Sequence, residues 1–143
     1  EHLREHRVYS EAGGHGDTGS IITVVATDAP LLPHQLKRVA RRAALGVARN
    51  GGYAGNGSGD LFVAFSTANG AAVQDDTLNS AIFLGNDALD PIFLATVEAT
   101  EEAIVNAMVA ARDLTGRDGH YALAIPHAAL QDILRRYGRL RTP

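Results

Sequence analysis

The stretch GDTGSIITVVATDAP, residues 16–30, decides how the chain is read. Residues 20–27, SIITVVAT, are nearly all apolar and rich in β-branched side chains, which predicts a strand buried on both faces. Immediately before them a polar, glycine-rich leader ends in Gly19-Ser20. Immediately after, Pro30 and Pro33 stop the strand and open a helix, with Pro33 suited to the first helical position.

Working outward, Leu36, Val39, Ala40, Ala43, Leu45 and Val47 recur at roughly helical spacing between His34 and Asn50, and Gly51-Gly52 ends that helix. DLFVAFSTA, residues 60–68, predicts a second strand closed by Asn69-Gly70. AIFLG is a short strand candidate. Asp90-Pro91 marks the start of a long helix, expected to reach about Leu114 and to bury Ile92 or Phe93, Val97, Ile104, Met108 and Ala111. HYALAI predicts a further strand, and a last short helix carries Leu130, Ile133, Leu134 and Tyr137. The order β-α-β-(β)-α-β-α implies helices packed on sheet, an α/β or α+β sandwich.

A chain of 143 residues with 45% apolar content suits one domain, or a large fragment of one, with a real core. A formal charge of −3 gives no general attraction to nucleic acid or anionic lipid. The absence of cysteine excludes disulfides, thiol catalysis and cysteine metal sites. No apolar run approaches the ~20 residues of a membrane span, and the polar start is unlike a secretion signal, so a cytoplasmic location is expected. A start at Glu1 without methionine suggests a piece of a longer gene product.

Three patterns invite functional readings that they do not sustain alone. HLREH, residues 2–6, matches H-x-x-E-H, which on a helix would set His2 and His6 toward zinc with Glu5 as base. No convincing third ligand lies nearby, so no metal is expected. The face Lys37, Arg38, Arg41 and Arg42 could touch phosphates, but a solvated face, or one paired with acids of another subunit, accounts for it equally well. GGYAGNGSGD, residues 51–60, has the wrong order for a dinucleotide loop, since its glycines follow a helix and precede a strand. It does place Ser58 and Asp60 two residues apart, on one side of an extended backbone, where a hydroxyl and a carboxylate can orient another hydroxyl or an amine. The plainer reading is a glycine turn capped by Asn56 and Asp60.

Serine at a strand edge is a poor nucleophile without a base, and neither a Ser-His-Asp set nor a G-x-S-x-G elbow is present. Cutting Gly19-Ser20 would create one. The freed α-amine of Ser20, with an ordinary pKa of about 7.7–8.0, would lie beside its own hydroxyl and be poised near neutral pH.

Taken together, SIITVVATDAPLLPHQLKRVARR and GGYAGNGSGDLFVAFSTAN resemble the DmpA-type aminopeptidases, the L-aminopeptidase/D-esterase and β-peptidyl aminopeptidase group. The resemblance implies an α+β fold, a four-layer α-β-β-α sandwich shared with ornithine acetyltransferases. It implies a precursor that cleaves itself before the nucleophilic serine, here at Gly19-Ser20. Residues 1–19 would then be the tail of the N-terminal piece and residues 20–143 the catalytic C-terminal piece. Ser58, in the asparagine-glycine-serine-glycine-acid run Asn56-Gly57-Ser58-Gly59-Asp60, takes the place of the second active-site serine, and Asp60 that of its acidic partner. The expected partners are the N-terminal piece, which supplies oxyanion and substrate-amine contacts, and further copies in a homo-oligomer; neither nucleic acid nor a membrane is expected. The expected substrates are small peptides, amides or esters with a free N-terminal residue, handled without a cofactor through an acyl-enzyme on Ser20. Two alternatives stand beside this: a non-catalytic assembly or binding fragment, and an acyltransferase related to ornithine acetyltransferase.

Overall fold

The structure, a computed structural model, describes residues 19–70 and 78–140. Its elements are β1 (Ile22–Thr27), α1 (Pro33–Arg49), β2 (Leu61–Ser66), α2 (Asp90–Ala110), β3 (Leu114–Thr115), β4 (Tyr121–Ala122) and α3 (His127–Arg136), with short 3-10 turns at Asn86–Ala88 and Arg117–Gly119. The described residues fall into two compact units, one running through Ile104 and the other beginning at Val105.

In the first unit β1, α1 and β2 form a β-α-β unit. The two strands pair in parallel from Ile22 against Leu61 to Thr27 against Ser66. Such strands need a crossover connection, and α1 provides it. Thr23, Val25 and Thr27 of β1, with Phe62, Ala64 and Ser66 of β2, are half-buried on the helix side. Ile22, Val24, Leu61, Val63 and Phe65 alternate with them onto an exposed face, where Val24 is 60% accessible. The expectation of a strand covered on both faces is therefore met on one face only. The side chains are apolar on both sides, as read, but within the described chain only the helix side is covered.

Leu31, Val39, Leu89 and Phe93 form the buried cluster, flanked by Val25, Ala29, Leu36, Ala64, Leu84 and Ile92. A polar residue organises this cluster. Gln35, 1% accessible, accepts the Leu32 N–H through Oε1 at 2.9 Å, one half of a capping box at the start of α1. Its Nε2 donates to the Leu84 carbonyl at 2.8 Å and to Asn86 Oδ1 at 3.3 Å, which ties the segment before α2 to α1. AIFLG is thus held here without forming a strand, with Leu84 N also donating to the Pro30 carbonyl.

α1 and α2 approach closely at Gly46. A Cβ there would lie 2.6 Å from Thr100 Cβ and 2.6 Å from the Val97 carbonyl oxygen. Thr96 and Thr100 on the contact side return their hydroxyls to the Ile92 and Thr96 carbonyls, so no buried hydroxyl is left open between the helices. The basic face of α1 divides. Lys37 and Arg41 are exposed, whereas Arg38 and Arg42 lie over the Phe93 ring, at 5.0 and 4.0 Å from its centroid.

The buried line of α1 is Gln35, Val39, Ala40, Ala43 and Gly46; Leu45, expected inside, falls off it and is 57% accessible. α2 stops at Ala110, short of the expected Leu114. Met108 is 42% accessible and Ala111 is exposed, not buried as expected. Residues 103–111 of this region are apolar or small nearly all round, so their spacing defines no single inner face.

In the second unit the predicted strand HYALAI is reduced to β4, which pairs antiparallel with β3. Asp118 and Gly119 turn the chain between them with φ of +57° and +77°, the left-handed region that Asp-Gly tolerates. Asp113 ties this hairpin to the chain beyond it, accepting the Tyr121 hydroxyl and the Ala124 N–H at 2.8 Å each.

Candidate active site

The pairing of β1 with β2 brings Ser20 and the end of the glycine-rich 51–60 loop together at the N-terminal ends of the strands. Continuing the register backward sets Ile21 beside Asp60 and Ser20 beside Gly59, and Leu61 N donates to the Ile21 carbonyl at 2.9 Å. Ile21 N–H then donates to Asp60 Oδ1, also at 2.9 Å, so a side-chain carboxylate extends the backbone ladder. The Gly59 N–H donates to Ser20 Oγ at 2.9 Å. Three consecutive bonds thus fix the position of the serine relative to the loop, although the two lie 39 residues apart in sequence.

Ser20 is exposed. Ser58 is half-buried; its N–H donates to the Gly55 carbonyl at 2.8 Å and its Oγ accepts the Asp60 N–H at 3.3 Å. These bonds shape the loop into a tight turn. Asn56 and Gly57 form the exposed outer corner. Among the described residues the group that reaches the Ser20 hydroxyl is the Gly59 amide, while Ser58 and Asp60 act on the loop and on Ile21. Gly19 and Ser20 are both described and exposed.

The Gly59 and Ile21 amides are the contributors that side-chain motifs did not reveal. The available signal was the glycine after Ser58. A Cβ at that position would lie 3.4 Å from Ser20 Oγ, so the backbone approaches the hydroxyl without a side chain in between. Asp60 also borders a cavity of about 190 Å³ between α1 and the loop, whose other walls include Val47, Ala48, Tyr53 and Phe62.

His2, Glu5 and His6 lie outside the described residues, as does most of the segment expected to end the N-terminal piece. Among the described residues no group of three His, Cys, Asp or Glu side chains is placed to hold a metal ion, and no helix is long and apolar enough to cross a membrane.

Comparison with known proteins gives this geometry a context. The sequence matches the profile of Peptidase family S58 over residues 2–122. It is 57% identical over 124 residues to the β-peptidyl aminopeptidase BapA of Sphingosinicella microcystinivorans, covering 85% of this chain and 31% of that protein. Among solved structures it resembles the PH0078 protein from Pyrococcus horikoshii OT3, with a TM-score of 0.79 and 51% identity over 85% of this chain and 34% of that one. It also resembles the L-aminopeptidase D-Ala-esterase/amidase of Ochrobactrum anthropi, described as a variant of the Ntn hydrolase fold, with a TM-score of 0.77 and 44% identity over 96% of this chain and 38% of that one. The chain therefore spans about a third of the length of these relatives. The fold class is α+β, the four-layer α-β-β-α sandwich, of which this chain is a part.

Proposed function

We propose, since this chain belongs to peptidase family S58, that it carries the nucleophile of a self-processing serine aminopeptidase. The observation that supports the reading most strongly is the 2.9 Å contact between Ser20 Oγ and the Gly59 amide, which joins the serine to the loop singled out in the sequence.

The reaction has two stages. In the precursor, Ser20 Oγ attacks the Gly19 carbonyl carbon, the C–N bond breaks, and the Gly19 acyl group moves to Oγ as an ester. Water hydrolyses that ester, leaving a Gly19 carboxylate and a free Ser20 amine. In the mature protein this amine takes the hydroxyl proton as Oγ attacks the carbonyl of a substrate's N-terminal residue. The proton passes to the departing amine or alcohol, and water resolves the acyl-enzyme. Asp60 holds Ile21, and through it the direction of Ser20, while Ser58 holds the loop that presents the Gly59 amide.

Substrates in this reading are small peptides, amides or esters with an unblocked first residue. The names of the relatives extend the range to β-amino acids and to D-alanine derivatives. Oxyanion and substrate-amine contacts come from the N-terminal piece of the same precursor. The test is Ser20→Ala in the full-length protein. Loss of both processing and turnover is expected, and full turnover in that variant would overturn the reading.

A further inference from the structure

We infer that the Gly59 backbone N–H promotes the departure of Ser20 Oγ from its esters, so that its effect falls on deacylation more than on acylation. The inference rests on the proposed role of Ser20 as nucleophile.

The geometry is specific. Gly59 N–H points at Ser20 Oγ from 2.9 Å and is held there by the bonds on either side, Asp60 N–H to Ser58 Oγ and Ile21 N–H to Asp60 Oδ1. A hydrogen-bond donor accelerates a step only to the extent that it is stronger in the transition state than in the starting state. For acylation the starting state is the free Ser20 hydroxyl, already a good acceptor for this N–H. For deacylation it is an ester oxygen, a poor acceptor. The transition states of the two steps resemble one another, each with Oγ partly bonded to a tetrahedral carbon. The gain in hydrogen-bond strength is therefore larger on the way out.

In that exit step water adds to the ester carbonyl carbon and gives its proton to the Ser20 amine. The C–Oγ bond breaks with its electron pair returning to Oγ, and the ammonium then delivers the proton to Oγ. Negative charge grows on Oγ as the bond breaks, and the Gly59 N–H meets it there. The same holds for the Gly19 ester formed during self-cleavage. One amide thus serves both processing and turnover.

The test replaces Gly59 by glycolic acid in the full-length protein through amber-codon suppression, exchanging the N–H for oxygen and adding no side chain. Rapid-quench kinetics with the p-nitrophenyl ester of an unblocked amino acid separate acylation from deacylation. Deacylation should slow by about tenfold and acylation by about twofold or less, the scale of one hydrogen bond to a developing charge. Acyl-Ser20 should accumulate, visible by mass spectrometry after acid quench. Equal slowing of both steps, or slower acylation without adduct, would overturn the inference. Should the replacement block self-cleavage, hydroxylamine should cut the unprocessed chain at the accumulated Gly19–Ser20 ester as well as at the introduced ester between residues 58 and 59, the fragments being told apart by mass. An unprocessed chain cut only at the introduced ester would also overturn the inference. Full turnover in Ser20→Ala would remove the nucleophile itself, and this inference with it.

Discussion

Asp60 does its work through a backbone amide. Its carboxylate takes the Ile21 N–H at 2.9 Å and so fixes the residue that follows Ser20. Asp60→Ala leaves that half-buried N–H without an acceptor and should cost about 1–3 kcal/mol in urea unfolding. Asp60→Asn keeps an acceptor oxygen and should stay within about 1 kcal/mol of the parent; equal losses in the two variants would show that the bond does not matter. Thr23 gives a prediction of opposite sign. Its Oγ1 is buried without a partner among the described residues, so Thr23→Val should be neutral or stabilising by up to about 1 kcal/mol. A third prediction concerns pH. The Ala124 N–H, and then the Tyr121 hydroxyl, hold the Asp113 carboxyl below the ordinary carboxylate range, and the hydrogen bond to Asp113 pushes the Tyr121 phenol up. A depressed carboxyl stabilises above its unfolded pKa and loses that contribution as pH falls through the folded one. A raised phenol stabilises below its unfolded pKa and loses that contribution as pH rises through the folded one. The hairpin should thus be firmest between the two ordinary values. Tyr121→Phe should raise the Asp113 midpoint in carboxyl NMR but leave it below normal, because the Ala124 bond remains; an unmoved midpoint would contradict this.

Among the elements, the contact at Gly46 makes the sharpest demand. A methyl group there meets Thr100 and the Val97 carbonyl at 2.6 Å, so Gly46→Ala should lower stability by about 1–3 kcal/mol as α1 and α2 are pushed apart. Unchanged thermal unfolding would show that the helices have room to move. β1, α1 and β2 were legible because each has a clear period or an apolar run bounded by proline or glycine. The end of α2 was not, since small apolar residues surround it. β3 and β4 were too short for any period to identify, two residues each, and depend on a left-handed Asp118-Gly119 turn. At the site, Ser20, Ser58 and Asp60 could be found as side chains in motifs. The Gly59 and Ile21 amides could not, because every residue but proline carries an N–H and only the strand register selects these two.

At the scale of the whole molecule, the open face of β1 and β2 is the feature that the chain alone does not satisfy. Ile22, Val24, Leu61, Val63 and Phe65 are exposed together, which for a sheet is a surface awaiting a second layer. In a four-layer sandwich that layer is another sheet, and this chain spans about a third of its relatives' length. Val63→Glu should therefore do little to the packing seen here, yet destabilise the full-length protein by several kcal/mol, the cost of burying an unpaired charge. Equal stability of variant and parent in the full-length protein would mean that this face stays in water. The proposed chemistry also belongs to this scale, since it needs a chain that is cut and whose pieces remain together. N-terminal sequencing of the active full-length protein tests this most directly. The account predicts a second sequence beginning Ser20-Ile21-Ile22; full activity in material whose Gly19–Ser20 bond is intact would contradict it.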